Sequence, residues 1–479
     1  MALLVLCAAG TLWADEAEEQ AARQAEEHAD GQDPGPDSGH DSGHGASRLT
    51  DEHIPLQVES VPQRPKFLLE LGNPYLGTGR IKPGFELPTG AVWQPSLILF
   101  GTLRTALQTF TDGPDERTEW ANRLDLFGNL QLSGSERLVV GFRNLDRNGR
   151  FTSYVFEPEL DEPFVDEFNA NVQALYFEGD FGEIFPGLDP EDFGRADIGF
   201  SIGRQPLLFQ EGMLINDSID GFGITRNTLL PKNTSNFRMT FFVGLDNVDR
   251  NQLSDDSATL LAVLTSTDVR RSTVDVDLAW VDGDELSGDL LALGVSAVQR
   301  LGKTNSSFRI LGSFAGGQET PFATDGVLLF SELSWTPAHG HDLAYVTTFV
   351  ALDQYSPAAS DPAVGGPLGR AGISFAAVGL GSYGAPLSST ARDVAGGAVG
   401  YQKFLGADSR RQLIGEVGLR AGTGAGVGDA AALTLRYQAA YGRRMVLVLD
   451  AFGGTRQAVM PEASDATLWG GRVEFQLKF

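Results

Sequence analysis

The chain has 479 residues, of which 42% are apolar and 21% charged. That balance excludes wholesale disorder, and no stretch approaches the ~18–20 continuous apolar residues that a membrane-spanning helix needs. The net charge of -27 excludes nucleic acid as a partner, because the chain lacks the basic footprint that neutralises phosphates. Fifty-eight glycines, with Phe outnumbering Tyr and Trp together, suit many short strands and turns better than long helices.

Residues 1–14 read as a secretory signal, with the apolar run Ala2–Trp13 and Ala14 as a cleavage residue. No Lys or Arg precedes the run, which points to a start codon further upstream. Cys7 is the chain's one cysteine and lies inside this signal, so the mature chain is expected to hold no disulfide and no thiolate site. Leu6 is too large for the position before a lipidated cysteine.

Residues 15–55 form an acidic polar tail, expected to be disordered. It contains Asp37, His40, Asp41 and His44, which could hold a divalent cation weakly but are more simply read as solvated low-complexity sequence. Residues 56–91, rich in Pro and Gly, lead into the next zone as a pre-barrel or small plug segment.

From residue 92 to 479 the chain becomes a series of alternating strands. Leu124, Leu126, Leu130 and Leu132 fall on one face, against Arg123, Asp125, Asn129 and Gln131 on the other. Val274, Val276, Leu278 and Trp280 likewise oppose Asp275 and Asp277. Such alternation over ~10 positions is the mark of a strand with lipid on one side and a polar lumen on the other. Eighteen segments fit, near residues 96–110, 119–132, 137–145, 168–180, 195–205, 218–229, 236–245, 258–266, 272–282, 289–301, 306–315, 326–335, 342–352, 395–405, 411–420, 430–440, 443–451 and 466–479.

The fold class expected is therefore all-β: a single antiparallel transmembrane β-barrel of about 18 strands, within a range of 16–20. The connections should alternate between short periplasmic turns and longer outer loops, with both mature termini periplasmic. Most do. Phe181–Gly194 is long where a short turn is expected, which raises a local question about register. The long connection Asp353–Val394 is partly apolar, so it should fold into the barrel and narrow it, unless it hides two further short strands. The last segment ends Val473, Phe475, Leu477, Phe479 on one face, and a terminal aromatic after such alternation resembles the recognition strand of bacterial outer-membrane barrels. That resemblance implies an outer-membrane location, with lipid and, through Phe479, the barrel-assembly machinery as partners.

No nucleophile elbow, phosphate-binding loop or dinucleotide fingerprint is present, and none of the six histidines belongs to a catalytic pair, so neither an enzyme nor a cofactor is expected. His339 and His341 fall in a turn. The informative residues are those that parity sends inward. Arg104, Arg123, Asp125, Arg143, Arg238, Arg309, Glu332, Arg436 and Arg472 are candidate pore-lining residues. Fixed charges of this kind either set the selectivity of a pore or brace its wall as cross-strand salt bridges, and parity does not choose between the two.

Gly203-Arg204-Gln205, followed by Glu211, Asp217 and Asp220-Gly221-Phe222, resembles the Gly-Arg-Gln hairpin of the alginate-export family and related porins. The resemblance implies an 18-stranded barrel with an arginine-lined lumen and adds Arg204 to the pore-lining set. Arg204 shares parity with Ile198, Phe200 and Ile202, so a bulge is expected to aim it inward. Three functions follow as expectations. The first is a channel for small hydrophilic solutes, anionic ones among them. The second is a polysaccharide-export barrel, and the third is a structural sheath around a partner protein. A homo-oligomer is compatible with all three, but no face of the sequence marks one.

Overall fold

The computed structural model describes residues 64–479, apart from 77–81, 112, 114, 192–193, 195, 251–252, 254–256, 339, 407–408 and 460–463. The signal, the acidic tail with its histidines, and His339 lie outside the described residues.

Eighteen strands make the wall: β1 Ser96–Thr111, β2 Glu116–Gln131, β3 Arg137–Arg143, β4 Val172–Asp180, β5 Ile198–Phe209 and β6 Ile215–Leu229. Then follow β7 Asn236–Asp246, β8 Thr259–Val269, β9 Ser272–Asp282, β10 Leu290–Leu301, β11 Thr304–Ala315 and β12 Gly326–Trp335. The rest are β13 Leu343–Gln354, β14 Arg392–Leu405, β15 Arg411–Gly422, β16 Ala430–Tyr441, β17 Met445–Arg456 and β18 Ala466–Lys478. Every strand pairs antiparallel with the next, and β18 returns to β1 from Trp469 opposite Thr111 to Lys478 opposite Thr102. Closure satisfies the backbone on every strand, which is the condition for crossing a bilayer without helices. Among the described residues no helix is long and apolar enough to cross a membrane.

The outward faces carry exposed Leu107, Trp120, Val276, Leu278, Ile310, Val399, Leu433, Val473 and Phe475. At roughly 25 cal/mol per Å² this belt would be costly in water, so it is a surface for lipid. The expected strands all exist. The connection 181–197 holds a short helix, Phe181–Ile184, and a 3-10 turn, Pro186–Leu188, and no strand among its described residues.

The inward faces depart from the simple alternation. Toward the end with the long loops, β7 to β13 point apolar side chains inward as well: Phe242, Leu260, Val281, Leu290, Leu311, Leu328, Phe330 and Phe349 are buried there. They pack on Met213, Leu214, Ile215, Tyr355, Leu368, Phe375 and Leu387. The expectation that apolar faces meet lipid and polar faces meet the lumen therefore fails over this part of the wall. The reason is that two connections, 210–214 and 355–391, fold inward and give it a core.

Candidate functional site

The long connection after β13 runs inside the barrel. Its first part is anchored near β6, where Tyr355 Oη donates to the Met213 carbonyl (3.0 Å) and Ala358 N to the Leu214 carbonyl (2.9 Å). Ala359–Ser360 then pairs in parallel with Ile215 and Asn216. No further barrel strand results, so the count stays at 18.

Its middle is anchored on the far wall by charge. The buried Glu416 carboxylate accepts from Ile373 N (3.0 Å), Ser374 N (2.7 Å) and Tyr345 Oη (2.5 Å). Buried Glu119 accepts from Ser382 N (2.5 Å) and from Gln108 Nε2 (2.7 Å). Arg104 donates to the carbonyls of Val378 (3.0 Å) and Gly379 (3.2 Å), and Arg123 donates to Gly379 (3.1 Å). Gly381 has φ +65°, and a Cβ there would overlap the Gln108 and Glu119 side chains. Tyr383 lies edge-on to Phe110 and Phe452 and under the Arg472 guanidinium. Burial raises the Tyr383 phenol above its ordinary range.

The same charges are paired along the wall. Register places Arg436, Asp450, Arg472, Gln108 and Glu119 opposite one another in turn across β16, β17, β18, β1 and β2. Arg436 and Arg472 both bind Asp450 (2.6 and 2.5 Å), and Arg472 also binds Glu474. Glu474 accepts from Arg104 (2.6 Å) and Asp125 from Arg123 (2.9 Å). Arg143 reaches Asp361 of the inward loop (3.2 Å) as well as Asp125 (3.5 Å). Just beyond β3, burial pushes Asp146 up to about 6, offset in part by Arg143 and Arg123.

On the other side, Arg309 binds Glu332 (2.5 Å), while Arg370 of the inward loop bridges Glu211 (3.1 Å) and Glu332 (3.4 Å). Nine of the ten sequence-predicted residues are thus engaged in ion pairs, counting Arg204 with Asp220 (2.6 Å). Arg238 is the exception: among the described residues it has no ion pair, and it lines a cavity of about 780 Å³ with Glu178, Asp180, Gln205 and Thr240 and a smaller one with Asp275 and Asp277.

Arg204 reaches its place without a bulge. Pairing with both neighbours runs one-to-one through Gly203, whose φ is +116°. Only glycine fits there, because a Cβ would overlap the Leu175 carbonyl. Arg204 then lines a polar cavity of about 550 Å³ shared with Arg143, Asp217, Asn247 and Asp361.

Two groups fall outside the set that parity points inward, apart from Arg420, which parity also sends inward. Arg370 and Asp361 are the only charged residues in the 37 residues between β13 and β14. So sparse a loop cannot be a solvated one, and its two charges had to meet the wall. The second group surrounds a cavity of about 450 Å³ at the long-loop end, lined by Arg392, Arg420 and Arg456 with Ser388, Thr390 and Gln457. Arg420 is buried and donates to the carbonyls of Ser388 (3.0 Å) and Thr390 (2.7 Å). Among the described residues neither Arg392 nor Arg420 has a carboxylate partner. Arg392 and Arg456 sit at strand ends, where face parity no longer decides direction.

No protein-family model and no curated protein matches the sequence. Solved structures do. The outer membrane protein OpdK from Pseudomonas aeruginosa matches with a TM-score of 0.52 at 11% identity, over 80% of this chain and 98% of that one. Pseudomonas aeruginosa OccK9 (OpdG) matches with the same score and coverage at 12% identity. So does a BenF-like porin from Pseudomonas fluorescens Pf-5, at 9%. At these identities the likeness is one of fold, and the fold is that of a porin barrel.

Proposed function

We propose that this protein is an outer-membrane channel for small hydrophilic solutes, with the short turns and both termini on the periplasmic side. One observation carries the reading. The barrel is closed and its long loop lies inside, yet a polar cavity lined by Arg143, Arg204 and Asp361 remains beside that loop, and Arg238 lines a second cavity on the wall. A chain built only as a sheath has no use for charged cavities, whose desolvation costs free energy unless water or solute fills them. Catalysis has no support of the same kind, because the charged groups are paired as wall braces.

The finer reading is a preference for anionic solutes. Most lumen arginines are matched by carboxylates, so they contribute little to it. Its support is the outer cavity of Arg392, Arg420 and Arg456, together with Arg238, which has no ion pair among the described residues. Planar-bilayer recording across a salt gradient tests both levels. Ohmic conductance with modest anion preference is expected, and Arg238→Gln or Arg392→Gln should move the reversal potential toward cations. An unchanged potential would remove the anion reading and leave the channel. A barrel that conducts only once its inward loop is released would favour the export role of the alginate type. A barrel that never conducts would leave the sheath.

A further inference from the structure

The wall has one incomplete seam, and its repair comes from an unexpected part of the chain. β1 spans 16 residues, and one edge is fully paired with β2, from Ser96 opposite Gln131 to Thr111 opposite Glu116. On the other edge β18 runs out early. Lys478 lies opposite Thr102, and Phe479 exchanges backbone hydrogen bonds with Gly101 (2.8 and 3.0 Å). Beyond that point the rest of β1 would present unpaired N–H and C=O groups. A free strand edge is a template for another chain, and at a lipid boundary its unsatisfied groups are costly.

The edge is occupied. Leu69, Glu70 and Leu71 pair antiparallel with Leu99, Ile98 and Leu97, and Leu68 N donates to the Leu99 carbonyl (2.9 Å). Reading along β1, residues 103, 102 and 101 meet 477, 478 and 479, and residues 99, 98 and 97 meet 69, 70 and 71. The pre-barrel segment therefore continues the last strand, in the same direction, one position after Phe479.

The faces continue too. Leu69 and Leu71 share the side of Phe475 and Leu477, because all four oppose odd-numbered residues of β1. Glu70 shares the side of Glu474 and Gln476. Leu-Glu-Leu thus extends the Phe-Gln-Leu alternation of β18. The segment is pinned independently of this ladder. Arg444 donates to the Lys66 carbonyl (2.8 Å), the Phe67 ring lies 6.1 Å from that of Phe100, and Arg64 holds Glu70 (2.5 Å).

We propose that residues 68–71 are the closing piece of a two-part eighteenth strand. They dock on the edge of β1 once β18 has closed, and they shield that edge from pairing with a strand of another copy. The inference rests on the barrel and its registers, and holds whether or not the barrel conducts.

The test uses the full-length chain with Cys7→Ser, Leu71→Cys and Leu97→Cys, extracted from membranes and oxidised. Mass spectrometry is expected to find the peptide of residue 71 linked to that of residue 97 within one chain. Deleting 64–76 should lower the temperature at which the folded band is lost on semi-native gels, and should allow Leu97→Cys chains to link to each other. Absence of the 71–97 link, or Leu97→Cys dimers forming as readily in the full-length chain, would overturn the proposal. So would an undeleted and a deleted barrel that melt together.

Discussion

Replacing Arg104 and Arg123 with glutamine should loosen the inward loop without unfolding the barrel. Together the two guanidiniums make three hydrogen bonds to the carbonyls of Val378 and Gly379, at 3.0 to 3.2 Å. Each is worth about 1 kcal/mol net after competition with water, so their loss weakens the seat of the loop by about 3 kcal/mol. That corresponds to roughly a hundredfold shift between seated and released loop. The wall should survive, because Glu474 keeps Arg472 and Gln476, and Asp125 keeps Arg143. Ser382 stays tied to Glu119, and Phe375 and Leu387 stay in the apolar core, so the freed part is about Ala376–Gly381. Single-channel recording should show open-state fluctuations and a larger mean conductance in R104Q/R123Q than in the parent. If the traces coincide while the variant is folded and inserted, the apolar core seats the loop and the arginines are bystanders.

Glu416→Gln should cost about 1–3 kcal/mol, because a buried acceptor of three donors becomes an amide that cannot take them all; a lower melting temperature and faster proteolysis within 355–391 are the readouts. Gly203→Val should cost about 2 kcal/mol or more, since it combines a left-handed backbone with overlap on the Leu175 carbonyl; the fraction of chains reaching the folded band measures it. Asp146 has an ordinary value of 3.8 and is held at about 6 in the fold, so its neutral form is the favoured one. Its contribution is present below about pH 4 and lost as pH rises through 6, by at most about 3 kcal/mol. Melting temperatures of the parent and Asp146→Asn should therefore diverge between pH 4 and 7, with the parent falling; parallel curves would contradict this.

Strand existence was legible in the sequence because period-two alternation is a local property. Leu124-Asp125-Leu126 and Val276-Asp277-Leu278 announce their faces without any neighbour. The inward course of the connection Asp353–Val394 was legible too, from its length and partly apolar composition. The segment Leu69-Glu70-Leu71 was not: three alternating residues are too few to stand out, and their meaning depends on where β18 stops.

Local pattern determined the barrel class, the strand count, the lipid-facing stripe and the inward parity of Arg104, Arg123, Arg436 and Arg472. Only the tertiary structure decided which carboxylate each arginine meets, because partners such as Arg104 and Glu474 are 370 residues apart and become neighbours when β18 closes on β1. It also decided that part of the lumen is an apolar core. Leu290, Leu311 and Leu328 have the same chemistry as the leucines facing lipid, and what separates them is the loop that folds in to cover them.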